Sequence, residues 1–381
     1  MNEENLIGIL ELSTQEIKCV IAKLESNDYT ILGFSSKPSQ GFHSGVIVNL
    51  SEATKTVRSC ISEAEKNSKI FLKKIFVIIE LNEFICTRVS KYKKIGGGKI
   101  EKDDISYSIK EAKNQIKQNN RQQSIIHIFN YNYFIDGKEF QNVPIDIFAD
   151  QIRHEISIIT SPNNILKNIN QTLINCDIEI AKFISKSFAL GVQSLDFNDL
   201  KFGSTIIDFG FEKTSMVIFK NSALVYSYSI PIGVNHITKD LSRVCSLSLE
   251  ESEYIRNHFD LKTEVEVNDV ESKKDNLLDK SFFKTSTYRK ISIGLIEDVI
   301  NSRYEEIFKL LKKEIYFSGF TSTAGRNIYI TQDNPTLLKL KDLTSKYFST
   351  NVKEIIPVLK KLKNDAVLDI NACCGAIEII S

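Results

Sequence analysis

Glu11 and Asp208 are the residues from which chemistry can be read first. Each closes a short apolar run, Ile9-Leu10 before Glu11 and Ile206-Ile207 before Asp208. Two positions on comes a small residue, Ser13 or Gly210, then a polar turn, then a second apolar run. A carboxylate there can hold a metal ion through water, and a neighbouring hydroxyl can meet a phosphate oxygen. A small residue lets backbone N–H groups approach a phosphate, since no Cβ stands in the way. Glu11, Ser13 and Thr14 form one such set; Asp208 and Gly210 form the other. A single acid at a strand end is ordinary solvated polarity. Two acids at matching places in two matching hairpins point to a site for a phosphorylated nucleotide, with Glu11 and Asp208 taking Mg through water.

These residues need strands to carry them. Strands are predicted around 7–12, 16–24 and 29–36, a helix around 51–67, and a strand at 75–79. Ala53, Val57, Cys60, Ile61 and Ala64 recur at helical spacing. A third strand follows each hairpin, Tyr29–Phe34 in the first copy and Ala223–Tyr228 in the second. The rhythm breaks between 84 and 155. There a Gly96-Gly97-Gly98 turn precedes a helix bearing Ile105, Ile109, Ala112 and Ile116, and Asp136-Gly137 signals a hairpin. This segment reads as an inserted subdomain. The first domain is expected to resume with Glu155–Ile159 and a helix through Ile165, Ile169 and Leu173. After the second copy come helices around 235–245 and 249–258. A charged stretch, 260–290, reads as a mobile loop plus an edge strand. A helix follows over about 291–315, then a strand at 327–331 and a helix with Leu337, Leu340 and Leu343. The expected fold class is α/β, the duplicated ATPase fold of actin, Hsp-type chaperones and hexokinase, with two halves around a nucleotide cleft.

Bulk properties exclude several functions. A formal net charge of +1 gives no general attraction to nucleic acid or an anionic membrane. No apolar run reaches the roughly 18–20 residues of a membrane span. The Met-Asn-Glu-Glu start lacks a signal-peptide pattern. Seven cysteines occur without a Cys-x-x-Cys pair, so a reduced, cytoplasmic protein is expected. His43, His127, His154, His236 and His258 show no metal-ligand spacing, and no nucleophile–base constellation stands out.

Longer segments resemble the FtsA family of bacterial cell division. Pro38-Ser39-Gln40-Gly41 with Gly45–Leu50 is similar to that family's Pro-Ser-Arg-Gly…Gly-Val-Val-x-Asn/Asp-Leu. His127–Phe129 with Tyr133–Asp136 resembles its His-Val-Ile-Pro-x-x-Tyr-x-Ile-Asp, and Ile230–Gly233 through Thr238–Leu241 is also similar. The inserted segment lies where that family carries its own subdomain. The resemblance implies first-domain residues 1–83 and 156–200, the inserted subdomain (1C) at 84–155, second-domain residues 201–242 and 319–381, and a peptide-binding subdomain (2B) at 243–318. It implies ATP with Mg as ligand, with Glu253 and Arg256 toward the ribose and Thr331 toward the adenosine. It implies Arg289 and Arg303 for the acidic C-terminal peptide of FtsZ, since guanidinium groups bind carboxylates bidentately. Self-association into actin-like filaments and contacts of the 84–155 subdomain with other division proteins are implied too, at the inner face of the cell membrane.

The departures from the family pattern are as informative. The second loop, Asp208 to Ser215, keeps one glycine of three. The first has Ser13 for glycine and Glu16 for the usual lysine, and the late Thr-Gly-Gly becomes Thr331-Gln332-Asp333. A carboxylate such as Glu212 about 8 Å from phosphate would cost roughly 2 kcal/mol per charge at an effective dielectric near 20. Weakened nucleotide binding and slow or absent hydrolysis are therefore expected, in a non-enzymatic division adaptor. The sequence ends at Ser381 without the family's C-terminal amphipathic helix, so either it is truncated there or membrane contact is expected through a partner. The alternatives are an actin-like pilus-assembly adaptor and, less well supported, a sugar kinase on the same fold.

Overall fold

Alternating apolar residues build the first sheet. β1 (Leu6–Leu12) and β2 (Glu16–Leu24) pair antiparallel across a three-residue turn, and β3 (Tyr29–Pro38) continues the meander. A small pair, β4 (Phe42–His43) and β5 (Val46–Ile47), leads to α1 (Leu50–Ser68). The Asn49 side chain caps α1 by accepting the Ser51 and Glu52 N–H groups, and Ala53, Val57, Cys60, Ile61 and Ala64 form its buried face. β6 (Lys74–Ile79) then runs parallel to β1. The computed structural model describes residues 5–26, 28–80, 84–258, 277–324, 327–332, 340–361 and 367–381.

A second sheet follows, from β7 (Ile85–Lys94), β8 (Gln123–Ile135), β9 (Lys138–Phe140) and β10 (Gln151–Pro162), with α2 (Lys102–Asn119) packed against it. The strand order is β7-β10-β8-β9. Asp136 and Gly137 turn between β8 and β9 with φ of 46° and 83°, the left-handed pair that a two-residue hairpin requires. The run Glu155–Ile159, expected from sequence to reopen the first sheet, lies within β10 and pairs with β7 and β8. Continuous apolar character marks a buried strand but does not say which sheet it joins. The first sheet resumes only after α3 (Asn163–Ile174), with β11 (Glu179–Ser185) parallel to β6. Its order is β11-β6-β1-β2-β3. Two helices follow, α4 (Lys186–Ser194) and α5 (Phe197–Phe202).

The third sheet repeats the first. β12 (Ser204–Phe209), β13 (Thr214–Lys220) and β14 (Ala223–Ile230) form the meander. Next come α6 (Val234–Cys245), α7 (Leu249–His258), α8 (Ile293–Ser318) and the short α9 (Thr321–Ala324). β15 (Asn327–Gln332), α10 (Leu340–Phe348) and β16 (Asn351–Glu354) complete it, with strand order β14-β13-β12-β15-β16. α8 buries Ile296, Ile300, Tyr304, Ile307, Phe308 and Leu311 at helical spacing. Residues 259–276 of the stretch expected as loop and edge strand lie outside the described residues, as do Asp333 and Leu337. From 277 to 292 the described chain has one β-bridge, Leu277 to Ser292, and a single helical turn at Lys280–Phe282.

Last come β17 (Leu359–Lys361), β18 (Val367–Asp369) and α11 (Asn371–Ile380). The chain divides into two compact units. The first comprises Met1–Ser204, Val217–Tyr228 and Ile356–Ser381; the second comprises Thr205–Met216 and Ser229–Ile355. Sequence places 319–381 with the second domain, but α11 shares its core with Ile7, Ile9, Val20, Ile184 and Ala189 of the first unit. The reason is close packing. A Cβ on Gly375 would lie 1.9 Å from the Ala189 carbonyl oxygen, so α11 and α4 meet at a contact that only glycine allows. Val217–Tyr228 also belongs to the first unit, where the Asn221 amide donates to the Tyr131 carbonyl at 2.7 Å and the Phe219 ring covers Gly191.

Candidate functional site

In open sheets of parallel strands, ligands gather beyond the carboxyl ends of the strands. In the first unit those ends belong to β1, β6 and β11, and they carry Glu11, Glu80 and Ser185-Lys186. Glu11 is 3% exposed. Its register partner on β2 is Lys18, whose Nζ lies 3.9 Å from Oε2. Lys186 Nζ bonds Glu80 Oε2 at 3.0 Å and acts on Glu11 as well. Burial pushes the Glu11 carboxyl above its ordinary range, while Lys18 and Lys186 pull it back. Burial lowers the Lys18 ammonium in turn, but Glu11 and Glu16 more than offset this and hold it above its usual value. The Cys373 thiol reaches Glu11 Oε2 at 3.7 Å.

The turn after Glu11 is braced from two sides. Ser13 Oγ donates to the Glu16 carbonyl at 2.8 Å, so this hydroxyl is tied into its own turn. Ser39 donates its hydroxyl to the Ser13 carbonyl at 2.7 Å and its N–H to the Gln15 carbonyl at 2.9 Å. Thr14 is half-buried on the turn. Glu16 bonds Lys18 at 3.0 Å and accepts from Ser36 Oγ at 2.7 Å. Sequence inspection misses Ser39, Lys18, Lys186 and Glu80. A signal existed for Ser39 in the Pro38–Gly41 motif, but none for Lys186.

In the second unit Asp208 is 4% exposed and ends β12 one residue early, as Glu11 ends β1. Thr331 on β15 is its register partner, so the structure brings together two predicted residues 123 positions apart. The loop after Asp208 is held by α6. The Val234 and Asn235 N–H groups donate to the Gly210 and Phe211 carbonyls at 3.0 and 2.9 Å. Asn235 Nδ2 donates to Glu212 Oε1 at 3.0 Å, and Thr214 Oγ1 donates to the Ile232 carbonyl at 2.7 Å. Gly233 makes the contact possible. A Cβ there would lie 2.4 Å from both loop carbonyls and 2.5 Å from the Lys213 nitrogen. Gly233 lies in the Ile230–Gly233 motif, but its spacing alone does not mark it as a site residue.

Farther along this unit, α7 sets Glu253 and Arg256 one turn apart. Arg256 is buried and Glu253 half-exposed, with 3.5 Å between Nη2 and Oε1. Glu251, buried beside them, accepts N–H bonds from Ser248 at 3.1 Å and from Thr285 and Ser286 at 2.7 Å. Arg289 is exposed, and its guanidinium donates to the Ser246 carbonyl. Arg303 on α8 is engaged by Asp240 at 2.7 Å and by Glu306. Asp240, Glu306 and Asp298 line the 350 Å³ groove that Arg303 enters, beside Val244 and Val299.

Lys18 and Lys186 place their ammonium groups among the carboxylates of Glu11, Glu16 and Glu80. Among the described residues, no group of three or more His, Cys, Asp or Glu could hold a metal ion.

Duplicated sheets of one strand order, each with an acid before the end of its first strand, define the actin-like ATPase class. Two solved structures share the fold. The PilM-PilN type IV pilus biogenesis complex covers 92% of this chain and 88% of its own at 12% identity, with TM-score 0.63. MreB5 of Spiroplasma citri, bound to AMPPNP, covers 100% of this chain and 96% of its own at 10% identity, with TM-score 0.53.

Within that class the chain belongs to the FtsA family of cell division proteins. The model for cell division protein FtsA matches residues 205–368, and that for the SHS2 domain inserted in FtsA matches 82–160. The FtsA of Agrobacterium fabrum is 20% identical over 369 residues, covering 92% of this chain and 80% of its own. The function is that of a division adaptor on an actin-like, ATP-binding scaffold. Among the described residues, no helix is long and apolar enough to cross a membrane.

Proposed function

We propose that this adaptor binds the C-terminal peptide of FtsZ through the region 243–318. We further propose that it holds ATP and Mg weakly, with slow or no hydrolysis. Glu11, Ser13 and Thr14 in the first unit, and Asp208, Gly210, Glu253, Arg256 and Thr331 in the second, are the nucleotide-contacting residues. The observation that carries the reading is the state of the second loop. Its carbonyls are bonded to the start of α6 and Glu212 is bonded to Asn235. A loop braced in this way has little freedom to close around a phosphate. Hydrolysis needs groups positioned at the moment charge develops, and the eroded glycines remove the backbone approach that supplies them.

Arg289 is the better-placed of the two arginines for an acidic tail, because Arg303 already has two carboxylate partners. Anchoring of the division ring at the inner membrane face, self-association into filaments and contacts of 84–155 with other division proteins complete the reading. Titrating purified protein with the FtsZ C-terminal peptide, with and without ATP, tests it. Saturable binding that survives without nucleotide is expected; no binding under either condition overturns the adaptor role at FtsZ. Micromolar affinity for labelled ATP with steady turnover would overturn the weak-nucleotide half.

A second reading, a pilus-assembly adaptor, is favoured by the likeness to the PilM-PilN type IV pilus biogenesis complex. A pull-down with pilus-assembly peptides against the FtsZ peptide separates the two. The sugar-kinase alternative has no comparable observation in its favour.

A further inference from the structure

We infer that the carboxyl-terminal tip of α8 is a contact surface for an anionic lipid bilayer. This goes beyond the reading above and needs neither nucleotide nor FtsZ, and it gives the chain itself a direct hold on a membrane.

The closing turns of α8 leave large rings in water. Ile307, Phe308, Leu311 and Ile315 are buried, as the core of the second unit requires. On the other side Tyr316 is 72% and Phe317 64% exposed, and their ring centroids lie 5.6 Å apart in an edge-on pair. A single exposed ring is common on a soluble protein, whereas a contiguous pair marks a contact surface. The exposure is built into the backbone. Gly319 ends the helix in the left-handed region, at φ 77°. Ser318 Oγ donates to the Ile315 carbonyl at 2.7 Å and accepts the Phe320 N–H at 3.0 Å. Phe320 is buried. The ring after the turn is therefore the one that joins the core, and the two rings before it are held outside.

Charge specifies the occupant. Lys309, Lys312 and Lys313 are exposed. Lys309, Lys313 and Phe317 follow at four-residue spacing, as do Lys312 and Tyr316, so cations and rings share one face of the helix. Lys313 Nζ lies 6.0 Å from the Phe317 centroid, and Lys312 Nζ lies 5.3 Å from the Tyr347 ring of α10. None of the three lysines makes an ion pair among the described residues. Between Ile307 and Ser318 the sole carboxylate is Glu314, which is half-buried and already engaged. Tyrosine and phenylalanine beside lysine suit the headgroup layer, with rings at the acyl boundary and ammonium groups among the phosphates. Rings alone would take neutral lipid equally, and lysines alone would take any polyanion. Together they select a negatively charged bilayer.

The test uses the full chain and vesicles of equimolar phosphatidylglycerol and phosphatidylcholine, with pure phosphatidylcholine as control, followed by co-sedimentation. Binding to the anionic vesicles is expected, weakening with salt, with little binding to the neutral ones. Tyr316→Ser combined with Phe317→Ser should lower the partition coefficient at least about tenfold. Lys309→Gln combined with Lys313→Gln should lower it about as much. All four side chains are exposed, so the melting temperature should hold. The chain contains no tryptophan, so Phe317→Trp sets a lone reporter at the tip. Its emission should move to the blue on anionic vesicles and be quenched by brominated lipid. The proposal is overturned if the anionic vesicles do not bind, if either double variant binds like the parent, or if the reporter still emits as it does in water. Equal binding of soluble polyglutamate, the sign of an acidic protein partner, or sedimentation showing a second copy on this tip, also overturns it.

Discussion

Asp208 and Thr331 sit directly opposite one another on parallel strands, each one residue before its strand ends. Glu11 and Ile78 hold the same relationship in the first sheet. The duplication is therefore one of register as well as strand order, and Thr331 brings a hydroxyl where its counterpart brings only hydrocarbon. That hydroxyl should assist the adenosine of a bound nucleotide. Thr331→Val keeps the shape and removes the donor. Labelled-ATP affinity should fall about fivefold, the worth of one hydrogen bond near 1 kcal/mol. The thermal midpoint should stay in place. Unchanged affinity would remove Thr331 from the site.

Gly233→Ala puts a methyl carbon against three backbone atoms that cannot swing aside. Overpacking of this kind costs about 1–3 kcal/mol. A lower melting temperature together with weaker nucleotide binding is expected, because the displaced atoms are the loop itself. A variant as stable as the parent would mean that α6 and the loop can separate at little cost.

His154 is wholly buried and stacked on Tyr133 at 4.6 Å, and neither ring nitrogen has a hydrogen-bond partner among the described residues. Burial pushes its pKa down from 6.5 to about 4. The unfolded chain thus binds the proton more readily between those values. The neutral ring's contribution is fully present above pH 6.5 and is lost as pH falls toward 4. His154→Phe should raise stability by about 1 kcal/mol at neutral pH and flatten that part of the pH–stability curve. Urea melts from pH 4 to 7 decide the matter, and an unaltered slope would count against it.

Glu251 has the opposite sign. Burial raises its carboxyl, but the hydroxyl and N–H of Ser286 with the N–H groups of Thr285 and Ser248 outweigh this and hold it well below its ordinary 4.5. Its contribution is present above pH 4.5 and is lost as the medium is acidified below that. Glu251→Gln should cost about 1–3 kcal/mol at pH 7 and soften the acid limb. Residues 285–286 should exchange amide protons faster, since Glu251 is what holds them to α7.

The two arginines should behave unequally. Arg289→Ala is expected to weaken FtsZ-tail binding at least tenfold (about 1.4 kcal/mol), with a smaller effect for Arg303→Ala. Asp240→Asn should strengthen binding, about threefold, by releasing Arg303 from a competing carboxylate and lowering the groove's negative charge. Isothermal titration of all three variants checks the order; a weaker Asp240→Asn complex would contradict it.

Much of the scaffold was legible because it depends on local pattern. The hairpin at Glu11, the helix carrying Val57 and Ala64, and the Asp136-Gly137 turn are each dictated by a few neighbouring residues. What stayed hidden depends on distant partners. Glu155–Ile159 reads as a strand from its own residues, but its sheet is chosen by β7 and β8. α11 reads as a small-residue helix, yet its place is set by Gly375 against Ala189. In the site, the acids announced themselves through repetition. Lys186 reaches Glu80 across 106 positions, and no local spacing could disclose that.

Cys373 touches Glu11 across 362 positions of chain, and this has a consequence for biosynthesis. At about 5–20 residues per second, the ribosome needs tens of seconds to make the second partner after the first. Throughout that interval Ile7 and Ile9, joined midway by Ala189, lack the helix that packs on them. The nascent amino-terminal half therefore waits, partly uncovered, for the final turns to arrive and latch it. Chaperone shelter during translation then matters more here than for a domain completed by its own early residues.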